Sequence, residues 1–456
     1  MDSPGSIQTP PVVTLGQPSA AGLPPPAPRW LLWLLWGVVL ISPAFTTVVA
    51  IFCFDVETDF QELYENGRRV IDTWQPDVIY AGRAPGFYPP SALPWFMLFS
   101  ALPAPVSCFA SCATYGLLFF LALRVLPKEA LFLRPGQYSH AWLFLALVIG
   151  WYVAYDIASG QVSGVPMFAL VLGYVYWRRG KIWRGAAALA LGVAFKLLPG
   201  AAVLFFLVKR QWKMVAATGL LSLAFGVLPG LVLFGPAKLT KSWQDYYLNV
   251  AWPKSHPVEY RNPETRDRIR WTKPASFLNP SLSITLLRWF SDYPQDNRHT
   301  PFLPLAHWPP LAVYRGYQLL MLALGAVSLW MCRRRLGYDP PESLATQYGL
   351  VLVWMILCSP HLAVYYMAWA LWPVAVLMGY VGRREALDGG SDPINALALW
   401  AFAISFFLSA VAILRAAGVH PAVLLVLWAV LLVNLLHGRF CELGVAVDPN
   451  EGGART

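Results

Sequence analysis

Long apolar runs separated by short polar breaks set the architecture of this chain. The runs occupy 30–52, 91–103, 105–126, 141–158, 162–177, 185–208, 214–235, 311–331, 346–360, 363–381, 395–415 and 420–437. About 20 residues of helix cross the hydrocarbon of a bilayer, so most of these runs predict membrane-spanning helices. The run 91–103 is interrupted by Pro94 and closed by Pro103. At about 1.5 Å per residue it reaches roughly 20 Å, short of a core of about 30 Å, and predicts a half-helix or the bent start of the next span. The stretch 185–208 is too long for one surface helix, too short for two spans, and basic at both flanks. A re-entrant pair of short helices turning at Lys196 to Pro199 satisfies both ends. Between the first two runs, Asp59 to Ile71 predicts an amphipathic helix on the outer surface. The predicted fold is all-α: a polytopic transmembrane helical bundle of about ten to thirteen helices.

Composition agrees. Of 456 residues, 57% are hydrophobic and 13% charged, against about 45–50% and about 25% in an ordinary soluble domain. The net charge of +10 does not predict a nucleic-acid partner, because the basic residues fall in short clusters between apolar runs. That is the positive-inside pattern, which reports topology. It places Arg29, the cluster Arg178, Arg179, Lys181 and Arg184, the cluster Lys209, Arg210 and Lys213, Arg333 to Arg335, and Arg383 with Arg384 in the cytoplasm. The chain is then a multi-pass protein of the plasma (inner) membrane with both termini cytoplasmic. Three segments follow: a disordered Pro-, Gly- and Ser-rich tail over 1–28, a membrane domain over 29–440 with outer loops at 54–90 and 236–310, and a disordered tail over 441–456. The 21 Trp and 20 Tyr suit the bilayer interface. The six cysteines form no CxxC or Cys/His spacing, so neither a zinc site nor a disulfide framework is predicted.

Charges in or against the bilayer are expensive, which makes each a functional candidate. Asp59 stands where the first outer helix starts, with Glu62 one turn on and Asp55 before it. A carboxylate there can take a proton from a hydroxyl nucleophile, or it can cap the helix N-terminus. Lys196 is an isolated cation in an apolar stretch. It can meet a lipid-borne phosphate as a point charge, or snorkel to water. Asp156, Gln161 and Ser163 interrupt an apolar region at the outer face, as a wet cavity or a polar turn would require. His361, followed by Tyr365 and Tyr366, stands at another outer helix end. The long loop holds Arg261, Arg266, Arg268, Arg270, Lys273, Asn279 and Arg288, which can grip an anion or be solvated. No P-loop, GxGxxG or HExxH pattern is present.

The order of these motifs resembles glycosyltransferase family 87 of the GT-C superfamily. The matching pieces are Asp59-Phe60 with Tyr64, Ile79-Tyr80, Phe87-Tyr88-Pro89-Pro90, Gly160-Gln161-Val162-Ser163, Lys196-Leu197-Leu198-Pro199, Asn279-Pro280-Ser281-Leu282 with Arg288, and Ser359-Pro360-His361 with Tyr365. The resemblance implies a GT-C-type bundle that moves a sugar, a hexose such as mannose or an arabinofuranose, from a polyprenyl-phosphate carrier to a lipid or glycan hydroxyl. It implies transfer at the outer (periplasmic) face with inversion. In that pattern Asp59 is the general base; Lys196, His361, Gln161, Tyr88 and Arg288 contact the donor; and Glu62, Asn279 and Tyr365 contact the acceptor or the loop. Two departures stand out: Ser163 falls where the family usually has Asn after Gln-x, and Pro280 where a polar residue is common. The sequence identifies no cofactor, and a divalent cation, Mg²⁺ or Mn²⁺, is compatible with Asp55, Asp59 and Glu62. The competing reading is a polytopic transporter or lipid flippase, which broken helices and an intramembrane lysine also permit.

Overall fold

The computed structural model describes residues 59–445 apart from 81–87, 131–137, 162, 253–280, 293–304, 334–338, 361, 363, 389–391, 410–413 and 416. The expected tail 1–28, the first span 30–52, Asp55, Asn279, His361 and the basic loop residues from Arg261 to Lys273 lie outside the described residues. What is described is helical. Fifteen α-helices are present among the described residues, more than expected because several runs are divided into short pieces.

The first, α1 (Asp59–Thr73), is the expected amphipathic helix. Phe60, Leu63, Gly67 and Val70 recur at helical spacing and are buried, while Glu65, Arg68 and Arg69 are exposed. The buried stripe lies on α2 (Leu93–Ser100), where Gly67 leaves room for the Ser100 side chain and Ser100 Oγ donates to the Tyr64 carbonyl at 3.0 Å. The run at 91–103 is thus a half-helix, preceded by a 3₁₀ turn at Pro90–Ala92. Helices α3 (Ala104–Glu129) and α4 (Tyr138–Ala158) follow, then a hairpin of α5 (Gly164–Arg178) and α6 (Ile182–Phe195). The hairpin is close-packed because Gly173 seats Leu189 and Gly192 faces Ala169.

The stretch 185–208 breaks at Lys196, as expected. Lys196 is extended (φ −145°, ψ 131°), and a 3₁₀ turn Leu198–Ala202 leads into α7 (Val203–Val208). The run at 214–235 differs from expectation. It is two helices, α8 (Trp212–Gly226) and α9 (Leu228–Tyr246), bent by 60°; α9 is broken by a kink at Gly235, whose backbone is non-helical (φ 77°, ψ 167°), and helix resumes after it and runs into a π-turn at Tyr247–Ala251, where a loop was expected. Gly and Pro at 235–236 hid that continuation, since a Gly-Pro pair ordinarily ends a helix.

After α10 (Leu282–Phe290) come α11 (Pro310–Met331), α12 (Pro341–Leu357), a 3₁₀ helix Val364–Ala370 leading into α13 (Leu371–Asp388), α14 (Pro393–Leu408) and α15 (Val419–Val445). The last helix runs five residues past the expected domain end. Helix α12 is buried on nearly every side and forms the centre of the bundle. Around it Tyr348 stacks on Tyr174 at 4.8 Å, and Tyr174 meets Trp372 at 4.5 Å. Two of the polar tips are satisfied by backbone: Tyr348 donates to the Leu170 carbonyl at 2.8 Å and Trp372 to the Ala345 carbonyl at 3.0 Å. The outward surface is apolar, with Leu220, Leu223, Val232, Leu319, Leu322 and Leu397 all exposed, as a lipid-facing surface requires. Among the described residues, Ala104–Leu126, Pro310–Met331 and Val419–Gly438 are each long and apolar enough to cross a membrane.

Candidate functional site

One end of the α5–α6 hairpin gathers the polar residues that interrupt apolar runs. Because Lys196 is the first residue beyond α6, its side chain continues into the space between the start of α2 and the 3₁₀ helix Val364–Ala370. Its ammonium donates to Ser163 Oγ at 3.0 Å and lies over three aromatic rings: Tyr366 at 4.5 Å, Tyr88 at 5.4 Å and Trp369 at 5.6 Å. Lys196 is 9% exposed, and its ammonium is held there by the negative faces of the rings. Tyr366 and Trp369 share a face because residues three apart eclipse in a 3₁₀ helix, and their rings meet at 4.9 Å. Trp369 Nε1 also donates to the Ser163 carbonyl at 3.2 Å, fixing the residue that receives Lys196.

Tyr88 is fixed in turn. Its hydroxyl donates to Gln161 Oε1 at 2.8 Å, and its carbonyl accepts from the Tyr80 hydroxyl at 2.8 Å. Tyr80 is fully buried, and burial pushes its hydroxyl well above the usual value, so it is a permanent donor. The neighbouring turn is anchored at Ser91, whose hydroxyl donates to the Ala194 carbonyl at 2.7 Å, two residues before Lys196.

Gly160 closes the arrangement. It adopts φ +69°, and a Cβ there would lie 2.2 Å from Phe60 Cβ and 2.9 Å from Phe60 Cα. The first turn of α1, which begins at Asp59, therefore rests on the turn that carries Gln161 and Ser163. The structure thus brings the α1 start, Tyr88, Gln161, Ser163 and Lys196 to one place. Glu62 follows one turn along α1 and is half-buried, and Tyr365 falls in the Val364–Ala370 helix beside Tyr366.

Arg288 stands in the last turn of α10. It is buried in α10, which packs on Val313 of α11 and on the Gly418 turn, where Thr285 would meet an added Cβ at 2.4 Å. Burial pulls its guanidinium down to about 10, which leaves it charged at neutral pH. Among the described residues no group of three His, Cys, Asp or Glu side chains is placed to hold a metal ion.

Of the aromatic partners, Tyr366 was named by sequence only as a neighbour of His361 with no role, and Trp369 was not singled out. In a chain with 21 Trp and 20 Tyr, two more rings in an apolar run carry no distinguishing signal. The signal available was their spacing of three immediately after Ser359-Pro360.

The far end of the hairpin is basic. The turn Arg178–Lys181 lies about 20 Å from the Lys196 end, at about 1.5 Å per residue over the length of α5. Gln211, beside Lys209 and Arg210, accepts from Trp177 Nε1 at 3.1 Å, which brings the second basic cluster to the same end. There Lys209 and Asp339 form an ion pair of 2.5 Å, with side chains 0% and 2% exposed.

Comparisons with known proteins accord with this geometry. Residues 87–360 match the profile of glycosyltransferase family 87. A polyprenol-phosphate-mannose-dependent alpha-(1-2)-phosphatidylinositol mannoside mannosyltransferase of Mycobacterium tuberculosis is 30% identical over 380 residues, covering 78% of this chain and 77% of the relative. The protein of the same description from Mycolicibacterium smegmatis is 26% identical over 317 residues, 66% of this chain and 63% of the relative. No solved structure matches the chain. The matched span includes Tyr88, Gln161, Ser163 and Lys196, and this chain is a multi-pass membrane protein belonging to glycosyltransferase family 87.

Proposed function

We propose that this glycosyltransferase moves mannose from a polyprenyl phosphate carrier to a hydroxyl of a glycolipid of the phosphatidylinositol mannoside type, at the outer face of the membrane and with inversion. Family membership favours the enzyme over a transporter, and the sugar and acceptor follow the two mycobacterial relatives. The observation that carries the reading is the position of Lys196. Its ammonium is buried beneath three rings, while the next residue, Leu197, is 47% exposed on the apolar surface. In extended backbone consecutive side chains point to opposite sides, so a phosphate at Lys196 sits one residue from the lipid that holds its polyprenyl tail. The outer-face assignment is supported by the basic far end, because cytoplasmic ends carry the Lys and Arg excess.

In this scheme the acceptor oxygen attacks the anomeric carbon, the bond from that carbon to the phosphate oxygen breaks with its electron pair going to the phosphate, and the hydroxyl proton passes to the Asp59 carboxylate. Attack opposite the leaving group inverts the centre. A phosphate leaves as a stable anion, so a cation serves it better than an acid. Lys196 fills that role, with Tyr88 and Gln161 shaping the donor pocket. Arg288 and His361 are assigned to the donor, and Glu62, Asn279 and Tyr365 to the acceptor side. The test is Asp59→Asn in detergent with polyprenyl phosphate mannose. We expect kcat to fall by about 10² or more, as loss of a general base entails. Full retained transfer overturns the role of Asp59, and absence of any wild-type transfer overturns the donor assignment.

A further inference from the structure

The segment Tyr88-Pro89-Pro90 faces an anchoring problem. Two prolines follow Tyr88, and proline has no N–H to donate. Residues 89 and 90 therefore cannot tie this stretch to the bundle through their amides, although Tyr88 must hold its ring at Lys196. Besides the Ser91 anchor, the ties run through Tyr88 itself: its hydroxyl to Gln161 at 2.8 Å, and its carbonyl to the Tyr80 hydroxyl at 2.8 Å.

Tyr80 is itself held from elsewhere. Its carbonyl accepts from Asn249 Nδ2 at 3.1 Å, and its ring meets Tyr246 edge-on at 5.5 Å. Asn249 belongs to the π-turn Tyr247–Ala251 that ends α9, and single π-turns of this kind are frequent at functional sites. The same arm of α9 grips the segment before Tyr80 twice more. Lys238 Nζ donates to the Trp74 carbonyl at 2.8 Å, and Lys241 pairs with Asp77. A continuous chain of contacts thus runs from the surface arm of α9 through Asn249, Tyr80 and Tyr88 to Lys196.

We infer that Tyr80 and Asn249 are positioning residues for the donor phosphate, setting the aromatic wall over Lys196 without touching substrate. This rests on the reading of Lys196 as the phosphate ligand, and it adds two residues and the α9 arm to that site.

The experiment measures decaprenyl phosphate binding to the full-length protein in detergent, together with KM for polyprenyl phosphate mannose and kcat. Tyr80→Phe keeps the ring and removes the hydrogen bond to the Tyr88 carbonyl. One such bond is worth about a fivefold to tenfold change in equilibrium. We expect Kd and donor KM to rise by about that factor, with kcat within about twofold and binding stoichiometry unchanged. Partial misfolding would instead lower stoichiometry at constant Kd. Asn249→Ala, which removes a single bond, is expected to act in the same direction more weakly, and it carries the test if Tyr80→Phe fails to fold. Lys196→Met, measured alongside, separates the two levels. If it weakens phosphate binding while both Tyr80→Phe and Asn249→Ala leave Kd and donor KM unchanged, the positioning inference is overturned and the donor site stands. If Lys196→Met leaves binding unchanged, the donor site falls and the inference with it.

Discussion

Gly160→Ala separates two consequences of adding a single methyl group. The first is backbone strain: at φ +69° a Cβ costs about 1–2 kcal/mol. The second is collision. The new Cβ would lie 2.2 Å from Phe60 Cβ, 2.9 Å from its Cα and 3.0 Å from its N. Two of these atoms are backbone, so no rotamer change relieves the contact. Carbon atoms pack at about 3.5–4.0 Å, so the first turn of α1 must retreat by about 1.3 Å or more. That turn begins at Asp59. Misplacing a reacting group by about 1 Å costs on the order of 10²-fold in rate, or about 2.7 kcal/mol of barrier. Gly180→Ala is the control, because Gly180 has φ +71° and nothing within 4 Å of its added Cβ. Both variants should lose thermal stability in detergent, Gly160→Ala more because it adds the collision to the strain, and only Gly160→Ala should lose kcat, by about 10², with binding of decaprenyl phosphate nearly unchanged. If Gly160→Ala keeps kcat within threefold of Gly180→Ala, α1 is not what the Gly160 turn positions, and the geometric case for Asp59 fails.

Other outcomes follow from contacts elsewhere. Lys209→Met strands Asp339 in the interior and should cost about 3–5 kcal/mol, read as a lowered unfolding midpoint, with much of the loss restored in Lys209→Met combined with Asp339→Leu. A midpoint unmoved by the single change would show that the pair is not buried in the membrane-embedded protein. The hydrogen bond Lys241 donates to Asp77 holds its ammonium above the ordinary 10.5. Its stabilising contribution is therefore complete below that pH and lost as pH rises through the raised value. The difference in melting temperature between wild type and Lys241→Gln should be flat from pH 6 to 9, shrink with salt, and close at higher pH; a gap that widens there contradicts the sign. Tyr366→Leu removes the nearest ring from Lys196, an interaction of about 0.5–2 kcal/mol. Titration with decaprenyl phosphate should show affinity weakened by about 2- to 30-fold, and equal affinity would exclude the ring from the site.

Much of the site was legible because a bilayer protein makes polar residues conspicuous. Lys196 stood alone in an apolar stretch, Gln161 and Ser163 broke another, and the amphipathic pattern from Asp59 to Ile71 announced α1. What could not be read was contact between like residues. Tyr366, Trp369 and Tyr80 are rings among many rings, and their roles depend on 3₁₀ spacing and on a carbonyl eight residues away. The α9 arm was missed for a different reason. Gly235 and Pro236 mark a break, yet the chain resumes its helix after one left-handed residue, a choice set by tertiary contacts with Trp74 and Asp77 rather than by local preference.

The ion pair at the basic end also has a temporal side. Its two members are 130 residues apart in the chain. At about 5–20 residues per second of synthesis, roughly 7 to 26 seconds separate their appearance on a ribosome. During that interval Lys209 is without its carboxylate, so this ion pair can form only when the segment entering α12 arrives. A nascent chain halted between α7 and α12 should remain unlocked at this end, open to quality-control proteases that leave the finished enzyme alone.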